Sequence, residues 1–135
     1  MRTIYIGKDL KEKEKFLDLA KKVPQIELKQ CFGEWEEALD YVREHRSSEN
    51  MINLVFLEED WGMRSGIGLV KRLKAVDRGI WIVMLAEDER HSLEAIQART
   101  NAFLIKPCTV EDIRGEADYI ILRYHDRNLQ KVRGE

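Results

Sequence analysis

Proline and cysteine are scarce in this chain, which has two of each among its 135 residues. Cys31 and Cys108 are too few for a disulfide framework and have no metal-ligand spacing. Each is expected as a small buried or half-buried side chain. Long apolar runs are also missing, and none approaches the roughly 20 residues of a membrane span. The chain opens on a strand-like pattern instead of a signal-peptide layout, so a cytoplasmic protein that does not enter a membrane is expected. Neither sign of charge dominates: 23 Lys and Arg stand against 25 Asp and Glu, for a net charge of −2. That balance gives no electrostatic case for nucleic-acid binding by this domain. No Ser-His-Asp or Cys-His arrangement suggests a hydrolase, so no enzyme is expected. His45, His91 and His125 lie among polar neighbours and are expected at the surface. A flavin or nucleotide protein would want a Gly- or Ser/Thr-rich loop after its first strand. Here that segment, Gly7 to Lys13, is charged.

Apolar residues make up 44% of the chain and charged residues 36%, a globular composition large enough for one ordinary domain. Five short apolar runs stand out: Thr3–Ile6, Ile26–Leu28, Ile52–Leu57, Ile80–Leu85 and Ala102–Ile105. The third and fourth are nearly continuous, as strands buried on both faces of a parallel sheet read. The second alternates and belongs nearer an edge. Between the runs, apolar residues recur at helical spacing. The stripes are Phe16, Leu19, Ala20 and Val23; Trp35, Ala38, Leu39 and Val42; Gly66, Leu69, Val70 and Leu73; a weaker Leu93 and Ile96; and Val110, Ile113, Ala117, Ile120 and Tyr124. Pro24 ends the first helix, and Thr109 followed by Asp112 is a variant helix-start signal. Strand and helix alternating five times predict an α/β fold, a doubly wound five-stranded parallel sheet with helices on both faces. Such folds build sites beyond the carboxyl ends of their strands. That singles out Lys8 and Asp9, then Glu58, Glu59 and Asp60, then Ala86 and Glu87, then Lys106 and Pro107.

The stretch from Asn53 through Glu58, Trp61 and Gly66 to Leu73 resembles the centre of response-regulator receiver domains. Met84-Leu85-Ala86 through Ile96, and Ala102-Phe103-Leu104-Ile105-Lys106-Pro107, resemble their fourth strand through the Lys-Pro signature. The phrasing Leu93-Glu94-Ala95 is closest to receivers that carry LytTR-type DNA-binding domains. The resemblance spans roughly residues 2 to 125. It implies the (βα)5 flavodoxin-like receiver fold, a role in two-component (phosphorelay) signal transduction and a cis Lys106-Pro107 bond. Receivers hold Mg²⁺ with two acids after the first strand, phosphorylate an Asp after the third, read the phosphoryl group with a Ser or Thr after the fourth, and pair it with a Lys after the fifth. An inward-turning aromatic on the fifth strand reports the change.

This chain keeps Asp9, Lys106 and Phe103 at those places. It departs at Lys8 for the first acid, Glu58 for the acceptor and Ala86 for the hydroxyl, and Gly62 lies near where the loop Pro would be. The extra methylene of Glu58 displaces its oxygens, and a misplacement of about 1 Å can cost on the order of a hundredfold in an in-line transfer. The Lys8 ammonium would repel a cation beside it, by roughly 4 kcal/mol per unit charge at about 4 Å and an effective dielectric of about 20. Ala86 removes the donor that reads the phosphoryl group.

The expectation is therefore a pseudo-receiver with a vestigial phosphoacceptor pocket of Lys8, Asp9, Glu58, Asp60, Ala86 and Lys106. Glu58 is expected to pair with Lys106, Lys8 or both. Phe103 is read as a switch-like aromatic whose packing role outlives its switching role. Trp61 is either a cap on the pocket or a partner anchor, while Trp35 and Trp81 are expected in the core. No cofactor is expected, and any Mg²⁺ would have to be held by Asp9 and Glu58. The partner is a protein (a kinase, an output domain or a second copy forming a homodimer) docked on the face of the fourth helix, fifth strand and fifth helix. Two alternatives stand beside this reading: a weakly Mg²⁺-binding, phosphorylatable receiver, and the input half of a transcription regulator whose DNA-binding domain lies elsewhere. Residues 1–127 form the receiver-like domain, and 128–135 a charged tail or the start of a linker.

Overall fold

The computed structural model describes the backbone of residues 1–134 and the side chains of residues 1–123. Five strands and five helices alternate along it: β1 (Arg2–Ile6), α1 (Leu10–Ala20), β2 (Glu27–Phe32), α2 (Trp35–His45), β3 (Leu54–Glu58), α3 (Ile67–Val76), β4 (Trp81–Ala86), α4 (Ser92–Gln97), β5 (Ala102–Ile105) and α5 (Val110–Gly134). All strand pairs are parallel, in the order β2-β1-β3-β4-β5. The near-continuous apolar runs became the inner strands β3 and β4, where every residue of Leu54–Glu58 is buried.

The sheet separates two apolar layers. Ile4, Ile6, Val55, Leu57, Ile82 and Met84 face α2, α3 and α4, against Leu39, Leu69, Leu73 and Ala95. Tyr5, Leu54, Phe56, Val83 and Leu85 face the other way, against Phe16 of α1 and Ile113, Ala117 and Ile120 of α5. Alternate strand residues thus serve opposite faces, as the period-two pleat requires. Helix starts follow the local chemistry. Asp9 caps α1. Thr109 and Asp112 cap α5 reciprocally, with Asp112 N–H donating to Thr109 Oγ1 (3.1 Å) and Thr109 N–H to Asp112 Oδ2 (2.9 Å).

Four expectations are corrected. β2 extends to Phe32 instead of ending at Leu28, because its register with β1 slips between Thr3 and Ile4 and breaks the alternation. α4 is reversed: Leu93 and Ile96 are 64% and 65% exposed, while Ala95 and Ala98 face the core. Trp81 is only half-buried, whereas Trp35 is buried. His45 is half-buried as well, with Nδ1 2.7 Å from the Tyr41 carbonyl oxygen. The expected boundary at residue 127, Tyr124 and His125 fall where side chains lie outside the described residues. Among the described residues no helix is long and apolar enough to cross a membrane.

Candidate functional site

β3 ends on Glu58, buried (5% exposed) at the carboxyl edge of the sheet. A carboxylate there has to be compensated within the protein. Lys106, just past β5, places Nζ 2.5 Å from Glu58 Oε1. Tyr5 on β1 donates its hydroxyl to Glu58 Oε2 at 2.6 Å. Both oxygens of Glu58 are therefore engaged. Lys106 also donates to Glu12 Oε2 of α1 (3.0 Å) and lies 3.7 Å from Glu87 Oε1.

Burial pushes the Glu58 carboxyl up, and Lys106 and Tyr5 pull it only part of the way back. Burial also works against the Lys106 ammonium, but Glu58 and Glu12 outweigh it and hold its pKa above the ordinary lysine value. Glu12 is held below the usual carboxylate range, first by its hydrogen bond from Lys106. Tyr5 is pushed far up by burial and then by the Glu58 charge, so it stays a donor. Gly7 leaves the room this group needs: a Cβ there would come within 2.6 Å of both Glu58 Cγ and the Tyr5 hydroxyl.

The remaining expected residues lie around this centre without joining it. Of the expected alternatives, Lys106, Lys8 or both, Glu58 pairs with Lys106, and Lys8 turns elsewhere. Its Nζ reaches across to the Trp61 carbonyl at 2.9 Å, in the loop beside Asp60. Asp9 Oδ1 accepts the Lys11 and Glu12 N–H groups (2.9 and 3.2 Å), and those bonds, led by the one from Glu12, lower its pKa. Asp60 Oδ1 accepts Gly62 N–H at 2.9 Å in an Asx-type turn. Ala86 is buried and its carbonyl accepts Lys106 N–H at 2.8 Å. Phe103 is half-buried and packs against the α2-α3-α4 layer.

Trp61 is 5% exposed, so it is not an exposed anchor. Its indole N–H donates to the Glu58 carbonyl (2.8 Å), and its ring meets Trp35 edge-on at 5.8 Å. Trp61 closes the end of β3 from above. The Lys106-Pro107 bond is cis.

The donors here do not fit a magnesium ion, which wants free oxygens and usually a carboxylate or two. Of the two carboxylates expected to hold it, Glu58 has both oxygens engaged and Asp9 has Oδ1 engaged, which leaves Asp9 Oδ2 alone, and the Trp61 carbonyl beside them accepts from an ammonium. Among the described residues no three His, Cys, Asp or Glu side chains converge on a metal site.

Tyr5 and Glu12 were missed in the sequence. Glu12 gave no signal, because a Glu in the first turn of a charged helix is ordinary. Tyr5 gave one: a hydroxyl in the middle of a buried strand must find a partner. Tyr5→Phe keeps the ring and removes only the bond to the carboxylate. The expected loss is about 1.5–3 kcal/mol in urea unfolding. An unchanged midpoint would mean the Tyr5–Glu58 bond does not hold in solution.

No protein-family model and no curated protein matches the chain. Solved structures do. A receiver domain protein from Clostridium thermocellum superposes with a TM-score of 0.78 at 17% identity, over 92% of this chain and 96% of the other. The response regulatory domain of protein mrkE from Klebsiella pneumoniae gives 0.77 at 16%, over 93% and 99%. A two-component response regulator from Clostridium difficile gives 0.73 at 23%, over 92% and 98%. The fold is that of response-regulator receiver domains.

Proposed function

We propose that this chain is a pseudo-receiver that acts in signal transduction by binding a protein partner, without being phosphorylated. The observation that carries the reading is the saturation of Glu58, with one oxygen held by Lys106 and the other by Tyr5. A nucleophilic carboxylate needs a free lone pair in line with the phosphorus and a cation on the phosphoryl oxygens. Here the attacking group is bonded on both oxygens and buried. Lys8 takes a carbonyl of the loop where a metal would work, and Ala86 offers no hydroxyl. The pocket is therefore a structural ion-pair cluster that fixes the end of the sheet in one charge state.

The partner surface is read from exposed apolar groups. Leu93 and Ile96 on α4, Ile105 on β5 and Tyr119 on α5 are 64%, 65%, 42% and 50% exposed. Apolar groups of this size standing in water favour a protein contact. A kinase, an output domain or a second copy of the chain would cover them.

The test is incubation of the whole chain with acetyl phosphate and Mg²⁺, followed by intact-mass measurement. No phosphoryl adduct is expected, before or after quenching at low temperature. An adduct mapped to Glu58 or Asp60 would favour the weakly phosphorylatable receiver and end the present reading.

A further inference from the structure

At the opposite end of the sheet from Glu58, around the start of β4, cations gather from several elements. Lys74 lies in the last turn of α3, Arg78 in the loop that follows, and Arg99 just before β5 in a left-handed conformation (φ 75°). Lys74, Arg78 and Arg123 of α5 line one cavity of about 380 Å³, together with Ile80, Trp81 and Asn101. Among the described residues none of these four cations forms an ion pair.

Lys74 donates to the Ile80 carbonyl (2.6 Å) and to Asn101 Oδ1 (2.8 Å), which leaves one of its three N–H groups over. Burial pushes its pKa down; Asp77 opposes this and Arg99 adds to it. Two acidic groups neighbour the cluster. Asp77 Oδ1 is engaged by Gly79 N–H at 3.0 Å. Glu116 approaches the Trp81 indole, and burial pushes its carboxyl up. A second groove, between α2 and α3, is lined by Arg43, Arg46 and Arg72, but there Asp40 and Glu36 neutralise Arg43 (2.9 Å) and Arg72 (2.6 Å). Among the described residues the four cations at the start of β4 thus outnumber the two acidic groups beside them, Asp77 and Glu116, in a chain whose net charge is −2.

We propose that this cavity is an anion site for a small molecule carrying a phosphate or pyrophosphate group. A concave wall with cations arriving from a helix end, a loop and a second helix suits a compact group with several oxygens on one centre. Guanidinium groups hold such oxygens in paired hydrogen bonds, and the ammonium acts as a point charge beside them. An extended acidic peptide would need cations spread along a surface instead. The half-buried Trp81 in the wall, with the Tyr119 ring 5.6 Å away, offers a flat apolar face for the organic part of the ligand.

Calorimetric titration of the whole chain with inorganic pyrophosphate, without Mg²⁺, tests this. Saturable binding is expected. Arg78→Glu and Arg123→Glu should each weaken it by about tenfold or more, since each replaces an attraction by a repulsion. Arg46→Glu, in the neutralised groove, should change it by less than about twofold, as expected for a distant screened charge. Among the described residues neither Arg78 nor Arg123 donates a hydrogen bond, and Arg123 lies 5.8 Å from the centre of the Tyr119 ring, so circular dichroism of each variant checks that the fold is kept. A nucleoside diphosphate that binds more tightly than pyrophosphate, with the gain lost in Trp81→Leu, would place the organic part on the indole. Equal affinities would assign the site to the phosphates alone. No saturable heat at millimolar pyrophosphate, an equal loss in Arg46→Glu, or Arg78-dependent binding of a poly-glutamate peptide in place of pyrophosphate would each overturn the proposal.

Discussion

Lys106→Met is expected to lower the stability of the domain by about 3 kcal/mol at pH 8, the size typical of removing one member of a buried ion pair. For a domain of this length that is a fall of roughly 10 °C in the melting midpoint. The cause is the carboxylate left behind, more than the pair that was lost. Glu58 is 5% exposed, and without the ammonium only the Tyr5 hydroxyl compensates it. Glu12 would lose the hydrogen bond that lowers its pKa, but it is more exposed and can turn to water.

The pH dependence gives this result its signature. Burial already holds the Glu58 carboxyl above its ordinary value, and loss of Lys106 raises it further. A carboxyl whose folded pKa lies above its unfolded value takes up a proton on folding. The associated stability is complete below the unfolded value and is lost as pH rises through the folded one. The deficit of Lys106→Met should therefore shrink toward pH 5 and be largest at pH 8. In the parent, Lys106 itself contributes with the same sign at the alkaline end: its raised pKa stabilises the fold below the ordinary lysine value, and that contribution is lost as pH climbs through the folded one. Adding Glu58→Gln to Lys106→Met should restore most of the stability, because no buried charge then remains. Urea melts at the two pH values decide it. A variant within about 1 kcal/mol of the parent at pH 8, a difference ordinary for surface substitutions, would show that the pair is not buried in solution.

What the sequence disclosed followed from where the physics is periodic. β3 and β4 were legible because strands covered on both faces need apolar residues at every position. α2 and α3 were legible because one stripe of each meets the sheet. β2 was misjudged because an edge strand with a register slip has no alternation to read, and its residues Glu27 to Gln30 are mostly exposed. α4 was misjudged because its inward residues are Ala95 and Ala98, which carry almost no hydrophobic signal, while its larger residues face outward.

The site divides in the same way. Glu58 and Lys106 stood at strand ends, where the topology itself directs attention, and they meet. Lys8 and Asp9 stood there too, but a side chain's direction from a loop is not encoded in spacing. One turned to a carbonyl and the other to a helix cap. Tyr5 lay inside a strand, where sequence patterns report burial and not hydrogen bonding. The substitutions are mutually consistent. The longer Glu58 reaches both Lys106 and Tyr5, and Gly7 leaves the space in which they meet.

Gly66→Ala is expected to be nearly as damaging, and for a different reason. Gly66 has an ordinary helical backbone (φ −57°), so conformational freedom is not what the position requires. Space is. A Cβ at Gly66 would fall 2.4 Å from the Glu58 carbonyl oxygen and 3.4 Å from Glu59 Cα, and both are backbone atoms that cannot rotate away. Relief requires α3 to retreat from the end of β3. That would loosen the Gly66 N–H bond to the Glu59 carbonyl (2.7 Å) and the Trp61 indole bond to the Glu58 carbonyl (2.8 Å). Overpacking of this kind costs about 1–3 kcal/mol, and rigid neighbours put it at or beyond the upper figure. The midpoint should fall by roughly 10 °C, and the Trp61 emission should shift to the red as its indole meets water. Unlike Lys106→Met, the deficit should not shrink toward pH 5: Glu58 keeps Lys106 and Tyr5, and any loss of its burial lowers its raised pKa and so removes stability at the acid end. A Gly66→Ala protein that melts with the parent would mean that α3 does not approach the strand end this closely. The closed roof over Glu58, on which its burial depends, would then have to be abandoned.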